Sequence, residues 1–469
     1  MTTIAICADA VVPADISIPG MRIKVIEDLC DYPSRLADSV SDDEDRLVLG
    51  VHGSRYNLGS AQAAVRRLGF DPLAIGLVDL QTVGSSEDLT NRLAASAART
   101  LMTPKPGPEH VKMLMPDRST RRALLSIGKP RYVGAPAVDD STCRAGDGCR
   151  ACVDPCPAGA LSWSGGEIQY DKNACITCGI CVTACPAGAV ANPSATPAAI
   201  EAEIRALIEG ADEPPGIRFR CREARVTAEP GWHQIEVPCT GMLTVGWILA
   251  PMIMGAGSVD VVSCSDGGCS LRNDRRLTST LADVATTASF LELDLDECVN
   301  ISGPVPDDLL GPCASARIIE ILAAHSLPSS TVDLQAADIG TVSIEPASCT
   351  ACQMCARVCP TDALASLESD QSIELSFDPL ACTACGGCVQ SCPEVERGAI
   401  TLQHRVNLDD WRLGRRTVRK EEHSMCELCG GPVAPKAMLD RIQSMLGDDA
   451  DAAATMTVIA QRCLDCRGR

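Results

Sequence analysis

Four runs of cysteine in this chain share one spacing. Two lie within residues 143–186 and two within residues 349–393, and each run ends in Cys-Pro. Three runs follow Cys-x2-Cys-x2-Cys-x3-Cys, whereas in the first run five residues (RAGDG) separate Cys143 from Cys149. Three thiolates that converge from one tight loop can bind three irons of a [4Fe–4S] cluster, while the fourth cysteine reaches a neighbouring cluster. The spacing therefore predicts four clusters arranged as two pairs.

The crossed arrangement assigns four ligands to each cluster, and we number the resulting cysteine sets 1 to 4. Set 1 is Cys143, Cys149, Cys152 and Cys185, and set 2 is Cys175, Cys178, Cys181 and Cys156. Set 3 is Cys349, Cys352, Cys355 and Cys392, and set 4 is Cys382, Cys385, Cys388 and Cys359. The alternative is zinc sites or free thiols, and four repeats of one spacing argue against it.

The two cysteine-rich blocks, residues 143–186 and 349–393, resemble dicluster ferredoxin domains. The resemblance rests on motifs such as ACITCGICVTACPAG (174–188) and ACTACGGCVQSCPEV (381–395). The resemblance implies two small α+β domains, each with a short hairpin and a helix per half. Clusters of this kind transfer one electron at a time and bind no organic substrate by themselves. The longer loop after Cys143 departs from the family spacing, although a loop that contains glycine can absorb the extra residues.

Four further cysteines lie between the blocks: Cys221, Cys239, Cys264 and Cys269. The region resembles the delta subunit of methyl-viologen-reducing hydrogenases (MvhD), on the segment PCTG (238–241), the helix that follows it, and CSDGGC (264–269). That family carries a [2Fe–2S] centre, so the resemblance implies one at these four thiols. The family usually begins with a Cys-x2-Cys pair, and Ala224 stands here in the second place. Buried cysteines without a ligand are the alternative.

Two Cys-x2-Cys pairs, Cys426 with Cys429 and Cys463 with Cys466, lie near the C-terminus. Their spacing predicts a zinc ribbon, a closed tetrahedral site of four thiolates that stabilises a short tail. A single iron, bound as in rubredoxin, is the alternative that the same ligands allow.

The first 125 residues predict an α/β domain, with strands in TIAICADAVV (3–12) and RLVLGVHGS (46–54) and a helix in NLGSAQAAVRRLGFD (57–71). This part is similar to the N-terminal domain of HdrA, a component of heterodisulfide reductases. Cys7, Cys30 and His52 fall where that family has cysteines. Whether these three residues bind metal stays open at this stage.

The composition excludes several classes of protein. The net charge of −20 argues against a nucleic-acid-binding protein. No basic and apolar leader begins the chain, so we expect a cytoplasmic protein in which 28 cysteines bind metal rather than form disulfides.

The apolar run 242–263 is interrupted by Pro251 and contains Asp260, which favours a buried helix and a core strand over a membrane span. The all-round apolar helix suggests burial against another domain or subunit.

These observations predict a multidomain α/β and α+β fold. We expect an HdrA-like α/β domain (1–125), a dicluster ferredoxin domain (126–195), a small α/β MvhD-like domain with [2Fe–2S] (196–340), a second dicluster ferredoxin domain (341–405) and a zinc-ribbon-like tail (406–469). The basic stretch 411–420 is either a solvated face or a docking surface for an acidic partner.

The sequence contains no G-x-G-x-x-G motif after a predicted strand and no P-loop. We therefore expect a non-catalytic electron-transfer subunit of an oxidoreductase. It would relay single electrons between two partners, one of them a catalytic subunit that contains flavin or metal. One alternative is an enzyme in its own right that reduces a disulfide or a similar substrate at the central cysteines. A redox or metal sensor is a further alternative, for which no regulatory output domain is visible.

Overall fold

The structure is a computed structural model of the chain. It describes residues 2–8, 16–37, 46–53, 58–104, 110–114, 131–224, 226–264, 274–297, 299, 305–324, 331–446, 456 and 458–467. One predicted ligand, Cys269, lies outside these residues.

The N-terminal region is built on a four-stranded parallel sheet in the order β2-β1-β3-β4. The strands are β1 (Thr2–Cys7), β2 (Met21–Ile26), β3 (Arg46–Val51) and β4 (Ile75–Asp79), and the helices are α1 (Leu58–Arg67) and α2 (Ser86–Met102). Every residue of β1 is buried, as expected for a central parallel strand that is covered on both faces. The order places β2 and β3 on opposite sides of β1, so the chain changes direction across the sheet at β1.

A two-stranded antiparallel pair, β5 (Val111–Leu114) and β6 (Arg131–Gly134), leads into the first ferredoxin-like unit. That unit contains two short antiparallel pairs, β7 with β10 and β8 with β9. Its elements are β7 (Ala137–Val138), β8 (Leu161–Ser164), β9 (Glu167–Tyr170), α3 (Ile180–Thr183) and β10 (Val190–Ala191). Little regular structure is present because the cysteine loops take up most of the unit.

The central region has a parallel three-stranded sheet in the order β12-β11-β13. Its elements are α4 (Pro197–Glu209), β11 (Gly216–Cys221), β12 (Trp232–Val237), α5 (Val245–Met254), β13 (Ser258–Val262), α6 (Asp274–Phe290) and α7 (Ala314–Ala323). The predicted buried helix is confirmed as α5, whereas the expected core strand is β13, an edge strand that is only half-buried at each position. In α5 every residue except Met254 is buried, and α4, α6 and α7 pack against it. The apolar helix is therefore covered by its own region, and no separate subunit is needed to bury it.

The last region contains the second ferredoxin-like unit and the tail. Its strands are β14 (Thr331–Asp333), β15 (Thr341–Ile344), β16 (Leu364–Glu368), β17 (Ser372–Phe377), β18 (Ile400–Gln403), β19 (Arg405–Asn407), β20 (Arg416–Met425) and β21 (Pro432–Pro435). Its helices are α8 (Met354–Arg357), α9 (Gly387–Gln390), α10 (Leu408–Leu413) and α11 (Lys436–Leu446). Strand β20 pairs with β17 and with β21. The tail thus extends the hairpin of the second unit into a four-stranded sheet.

Each region has its own buried cluster, and one further cluster draws residues from several of them. Ala95 of α2, Cys178 of the first ferredoxin-like unit, Phe219 of β11 and Trp411 of α10 belong to the same buried cluster. An ion pair of 2.5 Å between Arg99 and Glu203 also joins α2 to α4. Among the described residues, no helix is both long enough and apolar enough to cross a membrane.

Gly246 allows α5 and α7 to cross closely, because a Cβ atom at this position would lie 2.5 Å from the backbone nitrogen of Ser315. We expect Gly246→Ala to force the helices apart and to cost about 1–3 kcal/mol, as overpacking of a core does. The measurement is the apparent Tm of the full chain by circular dichroism. Gly84→Ala is the control, since a Cβ there meets nothing closer than 3.9 Å. Equal Tm values for the two variants would contradict the close crossing.

Candidate iron–sulfur sites

The loops of the three regular cysteine runs share an unusual backbone conformation. The residue before the second cysteine has positive φ in each case: 54° at Thr177, 55° at Ala351 and 51° at Ala384. The residue after that cysteine also has positive φ, at Gly179, Gln353 and Gly386. Residues other than glycine seldom adopt this conformation, and it persists where the surrounding structure requires it. The repetition shows one wrapping geometry that turns successive thiols toward a common centre.

Sets 2, 3 and 4 each line a separate cavity. The cavity of set 2 contains all four of its predicted cysteines and has a volume of about 390 Å³. The cavities of sets 3 and 4 also contain all four of theirs, with volumes of about 350 Å³ and 330 Å³. The crossed arrangement is therefore present in the geometry, because Cys156, Cys392 and Cys359 each join the three cysteines of the other run.

Set 1 also converges, although its first loop is longer. The five residues between Cys143 and Cys149, three more than in the regular runs, include a 3-10 turn (Ala145–Asp147) that ends at Gly148, with φ of 93°. Gly148 thus has the conformation that Thr177 has in set 2. Burial raises the pKa of Cys152 to about 12, with further contributions from the thiols of Cys185, Cys149 and Cys143. The thiol of Cys143 therefore lies close enough to Cys152 to raise its pKa, as the predicted ligand assignment requires.

The same physical causes act on thiols of every set. Burial raises the pKa of Cys149 to about 11 and those of Cys355 and Cys388 to about 12, and in each case neighbouring thiols add to the rise. Closely spaced thiolates repel one another, and a buried environment penalises each charge. A cationic metal removes this penalty, so binding of iron would release protons from these cysteines. The donor set and its electrostatics fit an iron–sulfur cluster at each position.

Backbone N–H groups point at the last cysteine of three runs. Ala160 N donates to Cys156 Sγ (3.3 Å), Ala189 N to Cys185 Sγ (3.2 Å) and Leu364 N to Cys359 Sγ (3.3 Å). Hydrogen bonds to ligand sulfurs are one of the means by which proteins set cluster potentials. These donors come from the turn after Cys-Pro, which explains why the proline-directed turn is part of the motif.

The central cysteines follow three neighbouring parallel strands. Cys221 ends β11, Cys239 lies two residues after β12, and Cys264 lies two residues after β13. Hydrogen bonding with Cys239 and burial raise the pKa of Cys221, whereas a contact with Cys264 lowers it. These three thiols are therefore close together at one edge of the sheet. The fourth predicted ligand, Cys269, lies outside the described residues.

The central site packs directly on the loop of set 2. Arg222, next to Cys221, donates from Nη1 to Thr177 O (2.8 Å) and from Nη2 to Ile176 O (3.0 Å). Thr183 donates to the carbonyl of Met242 at 2.6 Å. Since residues 176 and 177 separate two ligands of set 2, the arginine ties the two candidate sites together. Sequence reasoning missed Arg222, because the contact joins positions far apart in the chain and no motif marks it.

The two ferredoxin-like units meet through sets 1 and 4. Cys385 is among the thiols that raise the pKa of Cys149, and Cys185 and Cys385 line one cavity of about 850 Å³. Arg144 and Asp362 form an ion pair of 3.7 Å across the same junction. Within each unit the two sets also adjoin. The thiol of Cys152 in set 1 contributes to the raised pKa of Cys181 in set 2, and the thiol of Cys388 in set 4 contributes to that of Cys355 in set 3. The order in space is therefore central site, set 2, set 1, set 4 and set 3.

The four C-terminal cysteines also converge, with their sulfur atoms all within 4.8 Å of one another. Cys429 and Cys463, one from each pair, approach to 3.5 Å. Backbone N–H groups of Cys463 and Cys429 lower the pKa of Cys426 to about 6, so this thiol ionises readily. The spacing and donors fit one tetrahedral metal ion.

The basic stretch 411–420 does not form a free cationic face. Arg415 pairs with Asp378 (3.7 Å), Arg416 with Asp410 (2.9 Å) and Lys420 with Glu374 (3.2 Å). Neighbouring acidic residues thus neutralise the basic stretch. The hypothesis that it is a docking surface for an acidic partner loses its support.

Three family models match the chain. A 4Fe-4S dicluster domain matches residues 137–189, and a second 4Fe-4S dicluster domain matches residues 341–393. The delta subunit of methyl-viologen-reducing hydrogenase matches residues 220–297. A comparison with curated protein sequences gives no match. The predicted likeness to dicluster ferredoxins and to the hydrogenase delta subunit is confirmed, and the chain is an iron–sulfur protein of mixed α/β structure.

Replacing Arg222 tests the link between the central site and set 2. Arg222→Ala removes two hydrogen bonds from a charged donor, worth about 1.5–3 kcal/mol each, so we expect the loop of set 2 to loosen and iron to be lost faster. The measurement is the rate of iron release to a chelator under anaerobic conditions. Arg412→Ala is the matched control, since Arg412 is 68% exposed and pairs only locally with Asp409. Unchanged release from Arg222→Ala would show that the link does not hold the loop.

Proposed function

We propose that this iron–sulfur protein is an electron-transfer subunit of a cytoplasmic oxidoreductase complex. In this proposal sets 1 to 4 each hold a [4Fe–4S] cluster, and Cys221, Cys239, Cys264 and Cys269 hold a [2Fe–2S] centre. The observation that carries the proposal is the continuous series of cysteine sets from the central site to set 3. Clusters bound at these positions would each accept and donate one electron.

The polypeptide keeps the five sites in a fixed series. Arg222 holds the central site against set 2, the crossed cysteines join the two sets within each unit, and the junction around Cys149 and Cys385 joins the units. The buried cluster that contains Cys178 and Cys239 packs the first ferredoxin-like unit against the central region, which supports a constant spacing between them. The two ends of the series, the central site and set 3, are therefore the places where partners would deliver and collect electrons.

The likeness to a hydrogenase delta subunit supports a complex with other oxidoreductase subunits. We propose that a flavin-containing or metal-containing catalytic subunit exchanges electrons at one end and a second redox protein at the other. The C-terminal cysteines are assigned to a structural zinc ion, because four thiolates leave no open coordination position.

The alternative of a disulfide-reducing enzyme has less support. Cys221 and Cys239 are 0% and 1% exposed, so a substrate disulfide could not reach their sulfur atoms for thiol exchange, and this alternative would have to use Cys264, which is partly exposed. Arg222 and the set 2 loop cover this side of the site. Turnover of a disulfide by the isolated chain with a chemical reductant would favour the alternative.

The proposal predicts the iron content of the anaerobically purified chain. Four [4Fe–4S] clusters and one [2Fe–2S] centre correspond to about 18 iron atoms. We expect Cys178→Ala combined with Cys181→Ala to remove about four of them, and Cys221→Ala combined with Cys239→Ala to remove about two. The measurement is elemental analysis with Mössbauer spectroscopy. Cys313→Ala is the control, because Cys313 belongs to none of the sets. About four irons per chain in the unchanged protein would overturn the proposal.

The junction between the two units predicts magnetic interaction between set 1 and set 4. We expect EPR spectra of the fully reduced chain to show interaction broadening that narrows when Cys382→Ala and Cys385→Ala remove the cluster of set 4. The variant Cys426→Ala with Cys429→Ala should leave the broadening unchanged, since it alters only the C-terminal site. If the loss of set 4 leaves the signal of set 1 unaltered, the two units are not coupled as the geometry requires.

A further inference from the structure

Three potential metal ligands meet at one edge of the N-terminal sheet. Cys7 is the last residue of β1, Cys30 lies four residues after β2, and His52 immediately follows β3. Because β1, β2 and β3 are neighbouring parallel strands, their carboxyl ends lie side by side. The topology thus brings two thiols and an imidazole together from three separate stretches of chain.

The ligand atoms are close enough for one metal ion. The two sulfur atoms and a ring nitrogen of His52 all lie within 4.8 Å of one another, and Cys30 Sγ is 3.4 Å from His52 Nδ1. A tetrahedral zinc ion, with bonds of about 2.3 Å to sulfur and about 2.0 Å to nitrogen, places such ligand atoms about 3.5–3.8 Å apart. The observed spacing fits this geometry.

A comparison within the chain distinguishes a single ion from a cluster. Among the described residues, only this triad and the four C-terminal cysteines bring three or more ligand atoms within 4.8 Å. Sets 1 to 4 do not, because each thiolate of a [4Fe–4S] cluster binds a different iron. The triad therefore has the compact spacing of a one-metal site, and it differs in this respect from the sets assigned to clusters.

The surroundings favour a soft divalent ion. Cys7 is 0% exposed and Cys30 is 5% exposed, and both belong to the apolar core of the domain. A hydrogen bond between one thiol and one imidazole would account for Cys30 and His52 but not for the second buried thiol from β1. Two thiolates and an imidazole are a donor set that zinc binds well.

The turn that carries His52 is fixed by a neighbouring carboxylate. Asp79, at the end of β4, accepts a hydrogen bond from Gly53 N at 2.8 Å and another from Gln81 N at 3.0 Å. His52 N in turn donates to Cys30 Sγ at 3.3 Å. Such supporting contacts orient ligands at metal sites.

We propose that Cys7, Cys30 and His52 bind one Zn²⁺ ion that keeps an exchangeable fourth ligand such as water. Three protein ligands with one open position are the arrangement of catalytic rather than structural zinc sites. The site also lies at the carboxyl edge of the sheet where the strand order reverses at β1, which is where open α/β sheets bind ligands. It is independent of the iron–sulfur sites and of their proposed electron transfer.

The test measures zinc and iron in the full chain, purified anaerobically, equilibrated with Zn²⁺ and freed of excess ion. We expect Cys7→Ala, Cys30→Ala and His52→Ala each to lose about one zinc ion per chain with no loss of iron. His52→Cys should retain the ion, because a thiolate can replace the imidazole, and His233→Ala is the control for the loss of a histidine elsewhere. Zinc contents equal to that of the unchanged chain in all three alanine variants would overturn the proposal, as would a loss of iron.

A second measurement avoids variants of the domain itself. In the chain with Cys426→Ala and Cys429→Ala, the remaining zinc is examined by X-ray absorption at the zinc edge. The proposal expects a first shell of two sulfur atoms together with nitrogen or oxygen ligands. A shell of four sulfur atoms, or no remaining zinc, would contradict it.

Discussion

The cost of charging buried, closely spaced thiols is the constraint on which the rest of this structure depends. Burial and, after it, neighbouring thiols raise the pKa of cysteines in every candidate four-iron set, including Cys152 and Cys355. Bound iron would remove that cost, so clusters at these positions would stabilise the folded loops that hold them. The small number of aromatic residues, four each of Trp, Tyr and Phe, agrees with this account. Inorganic clusters would occupy volume that aromatic side chains fill in other proteins.

The chain presents its ligands in two ways. In the ferredoxin-like units, loops with positive φ at residues such as Thr177 and Ala384 gather three thiols from a short stretch. In the N-terminal and central regions, neighbouring parallel strands each deliver one ligand at their carboxyl ends. The first arrangement is local and independent of a large sheet, whereas the second needs the whole sheet to be formed before the ligands meet.

This difference explains how much could be predicted from the sequence. The cysteine sets of the ferredoxin-like units follow from spacing, since most of each ligand set lies within one loop. Even the irregular loop after Cys143 keeps the pattern, because Gly148 supplies the required conformation. The junction between Cys149 and Cys385 and the contacts of Arg222 could not be predicted, since they depend on how distant segments pack. The burial of α5 was predicted, but its covering by α7 of the same region was not, because an apolar helix does not show which element covers it.

The central claim is that the iron sites form one unbroken series. An anomalous-scattering map at the iron edge, from crystals of the anaerobically purified chain, would locate every iron directly. The account predicts iron density at the central site and at sets 2, 1, 4 and 3 in that order, with the sites of sets 1 and 4 adjacent across the junction. Density that leaves set 1 or set 4 empty, or that separates the two units by iron-free protein, would contradict it.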